Sequence, residues 1–396
     1  MRYFTFLCIL LIAVLSACSS PASTSQSDIF VESTTEETFE SEAVIYTDEA
    51  IVVNPQGLSV QATKDIDLRL KAELASPVVE QGGEKITLQA TAVDLMGDYA
   101  VVSYNVQGET YLGGIDVLRV KDKAKPKLIS RAIYTNADVH AVRVANGRVY
   151  AVLGALSKTR PQTAFLHIIP MSSKGYPDYK AAELMGLEGN VGTSVATLDD
   201  AILATSGDNG GMTVLNSDLE QKAFTPLAKA RWVDANDSFI AVLQAIPGQI
   251  QVFDAQNFEQ VSTLSVDGLT TPQAKSVLEL EGKLAFIAAG TAGVEVLNLT
   301  TGKSVASISP EALGDAVTNA VTAGGNFVFV AGGTAGLHVA YSDTPFDDLD
   351  EAFELTTLGK LELDGLASAN HVHLFGDTLF VAAGLEGLKI IQTDTK

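Results

Sequence analysis

Acidic and histidine side chains recur at one position of a repeated strand, three residues before a turn. The residues at that position are Asp94, Val144, Thr197, Asp234, Glu279, Thr322 and His373. Their neighbours along each strand are mostly apolar, so the alternation of a β-strand predicts that the polar set shares one face. If these strands surround a channel, that face gathers carboxylates and imidazoles at a similar depth. The candidate ligand-binding residues in the channel are Asp94, Asp234, Glu279, His371 and His373.

Two interpretations of this polar set stay open. Carboxylate oxygens suit Ca²⁺, so the set could form a cation-dependent ligand-binding site or an active site. The simpler interpretation, a water-filled channel lined by solvated polar groups, needs no ligand and is the one we favour. Two cysteines and five histidines leave little material for a zinc site. Apart from Ca²⁺, no cofactor is expected.

Motifs typical of catalysis are absent from the sequence. A hydrolase needs a nucleophile, a base and an orienting group within reach of one another. The chain contains no G-x-S-x-G, no P-loop, no G-x-G-x-x-G between a strand and a helix, and no C-x-x-C. Asp208-Asn-Gly-Gly resembles a fragment of a calcium loop, but it lacks the distal glutamate and is interpreted as a turn. We therefore predict that the protein is not an enzyme.

The strands that carry the polar set belong to an internal repeat. Its clearest copies are Gly282-KLAFIAAGTA-Gly293, Gly325-NFVFVAGGTA-Gly336 and Gly376-DTLFVAAGLE-Gly387, and weaker copies begin at Gly97, Gly147, Asp200 and Asp237. Seven copies spaced by roughly 40–50 residues match the length of four-stranded propeller blades. The sequence thus predicts an all-β fold, a seven-bladed β-propeller of four-stranded antiparallel blades. A long β-solenoid is the competing fold, although its rungs are usually shorter and more uniform.

Closure of the ring requires a strand from the N-terminal side. The seventh copy ends its third strand at Ile391, five residues before the C-terminus, and so lacks a fourth strand. Residues 65–75 alternate suitably for that role, and Lys85-ITLQ is the second candidate. A blade shared between the two ends of the chain seals the ring and protects its edges.

The repeats resemble those of the LVIVD-repeat family of β-propellers. The family's hallmark strand appears here as Met212-TVLN, Ile250-QVFD, Val294-EVLN, Leu337-HVAY and Leu388-KIIQ. The resemblance covers about residues 91 to 394 and implies an extracytoplasmic, often surface-anchored propeller, but it transfers no catalytic residue. The propeller-type assembly lipoprotein of the outer membrane is a more distant comparison, because its repeats are rich in tryptophan and this chain has only Trp232.

The N-terminus is typical of an exported protein. Arg2 precedes an apolar run, residues 4–15, that is too short to span a bilayer. The ending Leu15-Ser16-Ala17-Cys18 resembles the bacterial lipobox, which implies that residues 1–17 are a signal peptide and that Cys18 is lipidated and anchors the chain in the membrane. No aspartate follows Cys18, which in a Gram-negative cell implies the outer membrane. Residues 18–57 are interpreted as an acidic Ser/Thr/Glu-rich tether, and residues 58–396 as the propeller.

Composition limits the partners of the folded part. The 396 residues include 26 basic and 48 acidic ones, with a formal net charge of −22. Nucleic acid and anionic lipid surfaces attract basic patches, so the charge argues against both. We expect a monomeric, non-catalytic binding or scaffold protein of the cell envelope. Its partner is expected to be a protein or a glycan that meets one face of the ring.

Overall fold

The computed structural model of the chain describes residues 29–35, 43–55, 66–108, 110–269, 275–346, 349, 351–363 and 368–395. In these ranges the regular secondary structure is β-strand, apart from one short 3₁₀ helix, Glu311–Leu313. Seven antiparallel sheets form the blades of a β-propeller. The predicted fold is therefore confirmed. Residues 1–17, which are predicted to be a signal peptide, and Cys18 lie outside the described residues.

The first three blades follow one another along the chain. Blade 1 contains β7 (Gln89–Met96), β8 (Tyr99–Asn105), β9 (Gly113–Arg119) and β10 (Lys127–Tyr134). Blade 2 contains β11 (Ala137–Ala145), β12 (Arg148–Ala155), β13 (Ala164–Pro170) and β14 (Glu183–Leu187). Blade 3 contains β15 (Gly192–Leu198), β16 (Ala201–Ser206), β17 (Gly211–Leu215) and β18 (Gln221–Pro226).

The next three blades repeat this meander. Blade 4 contains β19 (Ala230–Ala235), β20 (Phe239–Ala245), β21 (Gly248–Asp254) and β22 (Gln260–Ser265). Blade 5 contains β23 (Leu278–Glu281), β24 (Leu284–Ala288), β25 (Val294–Asn298) and β26 (Lys303–Ile308). Blade 6 contains β27 (Ala320–Gly324), β28 (Phe327–Ala331), β29 (Leu337–Tyr341) and β30 (Thr356–Glu362).

Blade 7 joins the two ends of the chain. Its first three strands are β31 (His371–Phe375), β32 (Thr378–Ala382) and β33 (Leu388–Thr395), and its fourth is β4 (Ile66–Leu74). The pairing runs antiparallel from Leu388 opposite Leu74 to Thr395 opposite Ile66. The favoured closing segment, residues 65–75, is thus confirmed. The second candidate contributes instead to a hairpin of β5 (Val78–Gln81) and β6 (Glu84–Thr87).

Close packing also fixes the closing strand. A Cβ on Gly387, whose φ is +77°, would lie 2.0 Å from the carbonyl oxygen of Leu74, so the loop before β33 approaches β4 too closely for a side chain. Lys389, almost fully buried, forms an ion pair with Glu73 of β4. Both contacts hold the N-terminal strand against the C-terminal one.

Part of the expected tether is β-structure. Three strands lie in this interval: β1 (Val31–Thr34), β2 (Val44–Ala50) and β3 (Val52–Asn54). They add a fifth strand to blades 1, 7 and 6, by pairing with β10, β4 and β30 respectively. The prediction of a flexible tether over 18–57 is wrong for these residues. Low apolar content prevents a segment from forming its own core, but an outer strand offers unpaired backbone groups to any extended segment.

Apolar side chains on both faces of the blades form the core. The second and third strands are nearly all buried, as in β24 and β28, and neighbouring blades pack face to face through them. Burying one Leu, Val or Phe side chain contributes roughly 1.5–3 kcal/mol. The first strands lie side by side around a central channel, and contacts between β31 and β7 complete the ring.

The two faces of the ring differ in their connections. On one face, which we call the turn face, tight turns join the first strand of each blade to the second. On the opposite face, the mouth face, the second strand leads to the third and the fourth strand crosses to the next blade. Gly384, between β32 and β33, lies on the mouth face and bridges to Ala90 near the start of β7.

Candidate functional site

The structure revises which side chains occupy the repeated channel position. In blades 2 and 3 the turn begins one residue earlier than the sequence spacing suggested, at Asn146 and Asp199, both of which have positive φ. Counting three residues back from these turns gives Arg143 rather than Val144, and Ala196 rather than Thr197. This one-residue difference matters because it places a guanidinium in the channel.

A small cavity, which we call the turn-side cavity, contains all five candidate residues. Its volume is about 70 Å³, and its wall includes Asp94, Asp234, Glu279, His371 and His373 together with Arg143. Arg143 Nη1 donates to Asp94 Oδ1 at 3.2 Å. Asp94 raises the pKa of Arg143 most, and the carboxyl groups of Asp234 and Glu279 raise it further when they are ionised. The carboxylates therefore face a fixed cation of the protein itself.

The same polar side chains connect each blade to the next. Asp94 Oδ2 accepts a hydrogen bond from the Val144 amide at 2.7 Å, and Asp234 Oδ2 accepts one from Leu280 at 2.9 Å. Each bond joins the innermost strand of one blade to that of its neighbour. Such bonds satisfy backbone donors that would otherwise be buried without a partner.

Blades 5, 6 and 7 are linked by a relay. Glu279 Oε1 accepts bonds from the Ala323 amide at 3.2 Å and the Thr322 hydroxyl at 3.1 Å. Thr322 Oγ1 in turn accepts a bond from the Leu374 amide at 3.1 Å. The polar position thus has a structural use in at least four of the blade-to-blade junctions. That use accounts for the residue types without a bound ligand.

Burial shifts the ionisation of this cavity toward neutral forms. Burial, reinforced by the charge of Asp234, raises the pKa of Glu279 to about 8. Burial likewise raises the pKa of Asp234, although Arg143 opposes the shift. Burial lowers the pKa of His373, and burial with the nearby Lys275 lowers that of His371. At neutral pH Glu279 is therefore protonated, and both imidazoles are uncharged.

A layer of three side chains separates this cavity from the mouth of the channel. The ring of Trp232 lies 5.4 Å, centre to centre, from that of His371. Lys275 Nζ lies 5.2 Å from the centre of the Trp232 ring on the mouth side, in a cation–π contact. Lys275 reaches across the channel from blade 5 to the carbonyl oxygens of Thr91 and His140. The channel is thereby divided into two compartments.

The second compartment, which we call the mouth pocket, is larger and differently charged. Its volume is about 390 Å³. It is lined by Gln89, Thr91, Asn105, His140, Val191, Thr193, Arg231, Lys275, Asn319 and Asn370. These residues come from all seven blades, and none of them is acidic. The chain as a whole has a net charge of −22, whereas the charged side chains that line this pocket are basic.

Bulges in the innermost strands direct these side chains into the pocket. The register of the first strand shifts across Thr91, His140, Thr193 and Arg231 in blades 1 to 4. A bulge leaves one residue outside the ladder and re-aims its side chain. The Thr91 and Thr193 hydroxyls then donate to carbonyls of the next blade, Val139 and Ala230 respectively. Asn370 Nδ2 donates to the Ala90 carbonyl at 2.9 Å, which links blade 7 to blade 1.

The pocket holds two basic side chains and a neutral imidazole. Burial lowers the pKa of Lys275 to about 7. Burial, with the charge of Lys275, lowers the pKa of His140 to about 4. Arg231 keeps its charge at any physiological pH, since guanidinium does not deprotonate in proteins. The pocket is therefore cationic at neutral pH and below.

Sequence reasoning missed Arg143, Trp232 and the whole mouth pocket. A signal for the pocket was present, because polar residues recur six or seven positions before each turn. Bulges interrupt strand alternation at that point, however, so the period-two pattern used to find the channel face does not reach it. The described residues contain no group of three His, Cys, Asp or Glu side chains placed to hold a metal ion. Ca²⁺ binding stays a prediction.

Comparison with known proteins supports the fold alone. The structure is similar to the WD40 domain of Pan2 from Neurospora crassa, with a TM-score of 0.52 and 11% identity over 78% of this chain and 90% of that one. It also matches the computationally designed Ika8 protein, with a TM-score of 0.47 and 12% identity over 81% of this chain and 99% of that one. No protein-family model matches the chain, and neither does any curated protein. The LVIVD resemblance stays a prediction.

Across the described ranges, none of the helices has the length and apolar character needed to cross a bilayer.

Proposed function

We propose that this chain is a lipid-anchored, extracytoplasmic β-propeller that acts as a non-catalytic binding and scaffold protein of the cell envelope. The mouth face is its docking surface and another envelope protein its partner. The observation that supports this proposal is an asymmetry in exposed apolar side chains between the two faces of the ring.

Exposed apolar side chains are concentrated around the mouth. We call them the mouth rim, which consists of Phe30, Val78, Leu156, Ile246, Val317 and Leu385. Each is between 39% and 60% exposed. Ile45, Tyr46, Val52 and Val261 are exposed to a similar degree on the outermost strands β2, β3 and β22, with Val261 near the turn-face end of its strand. Met96 lies on the turn face itself and is 39% exposed. Apolar side chains surrounding a polar centre are typical of a surface that a protein partner covers.

The chemistry of the rim favours a protein over a glycan. Five of its six members are aliphatic, and Phe30 is its one aromatic ring. Aliphatic side chains gain from contact with an apolar protein surface, whereas they offer a sugar neither hydrogen bonds nor a flat stacking platform.

The lipid anchor is proposed at Cys18. Ten residues lie between Cys18 and Ile29, so the eleven Cα–Cα steps of a fully extended connection would reach at most about 40 Å. The described chain then enters at the mouth face, where the Phe30 carbonyl accepts a bond from the Thr135 amide between blades 1 and 2. Such an anchor would keep blade 1 within reach of other membrane-attached proteins.

Site-specific photo-crosslinking in intact cells tests the docking surface. A crosslinking residue at Leu156 or at Leu385 should give the same discrete adduct, identified as one protein by mass spectrometry. The matched control carries the crosslinker at Met96 on the turn face and should give none. The Leu385→Glu variant should remove the adduct formed from position 156. Equal adducts from position 96, or an adduct that glycosidase digestion removes, would reject a protein partner at the mouth rim.

Fractionation tests the anchor separately. The Cys18→Ala variant should move from the membrane fraction to the soluble fraction, whereas the wild-type chain needs detergent for release. Mass spectrometry of the wild-type protein should find an acylated Cys18 as the N-terminal residue. An unprocessed or unlipidated N-terminus in membrane-bound protein would contradict this part of the proposal.

A further inference from the structure

The mouth pocket has the size and lining of a small-molecule site. Its volume, about 390 Å³, falls in the range of ligand pockets, which is about 300–1,000 Å³. The turn-side cavity, at about 70 Å³, has room for little more than water. An occupant larger than water is therefore to be sought at the mouth.

The donors of the pocket define the charge of that occupant. Arg231 offers a planar fork that matches a carboxylate in a bidentate geometry. Lys275 has three ammonium protons, and two of them face the Thr91 and His140 carbonyls. The ammonium group keeps a third proton for a ligand. No acidic side chain is among the lining residues. The charge of Asp208 reaches Arg231 from outside the lining, so Arg231 meets an anion with the donors that remain on its guanidinium.

The remaining lining groups indicate what surrounds the charge. Four amides line the pocket: Gln89, Asn105, Asn319 and Asn370. Asn319 and Asn370 each already donate one bond to a backbone carbonyl, those of Ala369 and Ala90 respectively. Side-chain amides and hydroxyls both donate and accept hydrogen bonds, as ligand hydroxyls do. Such groups recognise neutral polar atoms, and the two backbone carbonyls beside Lys275 disfavour a compact dianion such as phosphate. The complementary molecule carries one carboxylate and several hydroxyls.

We propose that the mouth pocket binds a hydroxylated carboxylate of monosaccharide size, that is, a sugar acid. Arg231 and Lys275 hold the carboxylate, the amides hold the hydroxyl groups, and the Trp232 layer below Lys275 forms the floor. The acid could be free or the terminal unit of a longer chain, because the pocket opens onto the mouth face. This site does not depend on the docking surface proposed above.

Isothermal titration calorimetry with the full-length chain tests the site. The probes are D-galacturonate, the neutral sugar D-galactose, inorganic phosphate and tri-galacturonate. Galacturonate should bind at least about tenfold more tightly than galactose and phosphate, which corresponds to about 1.4 kcal/mol. A stronger signal from tri-galacturonate would assign the acid to the end of a chain, and a weaker one to a free molecule. Equal binding of galactose or phosphate would overturn the assignment.

Matched variants locate the binding. Arg231→Gln and Lys275→Met should each weaken galacturonate binding about tenfold or more. Arg148→Gln on the turn face, where Nη1 donates to the Ser217 carbonyl, should leave it unchanged. Asn105→Asp preserves the shape of the pocket and adds a repelling charge, so it should also weaken binding. Thermal unfolding of each variant verifies folding. No binding of galacturonate at about 10 mM, well above a weak Kd of about 1 mM, or unchanged binding in folded pocket variants, would refute the proposal.

Discussion

The two compartments of the channel use charge in opposite ways. In the turn-side cavity, carboxylates accept amide protons from the next blade, and Arg143 neutralises Asp94 within a volume of about 70 Å³. In the mouth pocket, Arg231 and Lys275 line about 390 Å³ with no acidic neighbour among the lining residues. The contrast shows that a high density of titratable groups marks a ligand site only where those groups surround enough space for a ligand. In the sequence, the recurring acidic residues of the turn-side cavity resemble a binding site. In the structure, the mouth pocket is the compartment with the volume of one.

The largest difference between the compartments is expected from removing one arginine in each. Arg143→Met leaves Asp94 buried without its cation, which should reduce the free energy of unfolding by about 3–5 kcal/mol. Arg231→Met, at the open mouth, should cost about 1 kcal/mol or less. Chemical denaturation of both variants measures the two values. Similar losses would show that the turn-side cavity is no more structural than the mouth.

The two compartments should also differ in how their titratable groups make stability depend on pH. The pKa of Glu279 rises from 4.5 to about 8 on folding, so the folded state binds more protons than the unfolded state between these values. Stability from this group therefore falls as pH rises from about 4.5 to 8, by up to about 1.4 kcal/mol per pH unit. Denaturation of Glu279→Gln and wild type across this window should show a wild-type decline that the variant lacks. Parallel curves would contradict a protonated Glu279.

Lys275 should show the opposite sign. Its pKa falls from 10.5 to about 7 on folding, so between pH 7 and 10.5 the unfolded state binds more protons. The contribution of Lys275 to stability should then rise with pH across that window. Lys275→Met should remove the rise, and the difference between the two unfolding curves measures it. The effect should be smaller than that of Glu279, because the mouth pocket opens to solvent.

The smallest expected effect is a change in the fluorescence of Trp232. Trp232 is the single tryptophan of the chain, and Lys275 Nζ lies over its ring. Loss of the lysine charge should change the fluorescence of Trp232 with a midpoint near pH 7. Lys275→Met should abolish this transition, whereas Glu279→Gln should retain it. Retention of the transition in Lys275→Met would assign it to a group other than the mouth-pocket lysine.

Much of the fold could be predicted because the repeat is local. Turn glycines such as Gly282 and Gly376 adopt positive φ, and the strands on either side follow from period-two alternation. The missing fourth strand of blade 7 followed from counting strands, and the alternating segment at residues 65–75 was the available match. The strands β1 to β3 could not be found this way, since their stability comes from the backbone edges of other blades.

The candidate site was only partly predictable. Alternation correctly predicted that Asp94, Asp234 and Glu279 face one cavity, but not that each also holds the backbone of the adjacent blade. A one-residue shift of the turn at Asn146 decides that Arg143 joins them. The sequence offers no measure of such a shift when both Asn146 and Gly147 can occupy a turn.

The sequence by itself determined the number of blades, their order and the need for an N-terminal closing strand, because these depend on turn chemistry and alternation within each repeat. The structure decided between the two candidate closing segments. Only the tertiary structure decided which charges meet across the channel. Lys275 reaches Thr91 and His140 from blade 5, over more than a hundred residues of chain. Ring closure creates that proximity, and the bulges in the innermost strands determine which side chains point into the mouth pocket. Neither effect is encoded in the local period of any one strand.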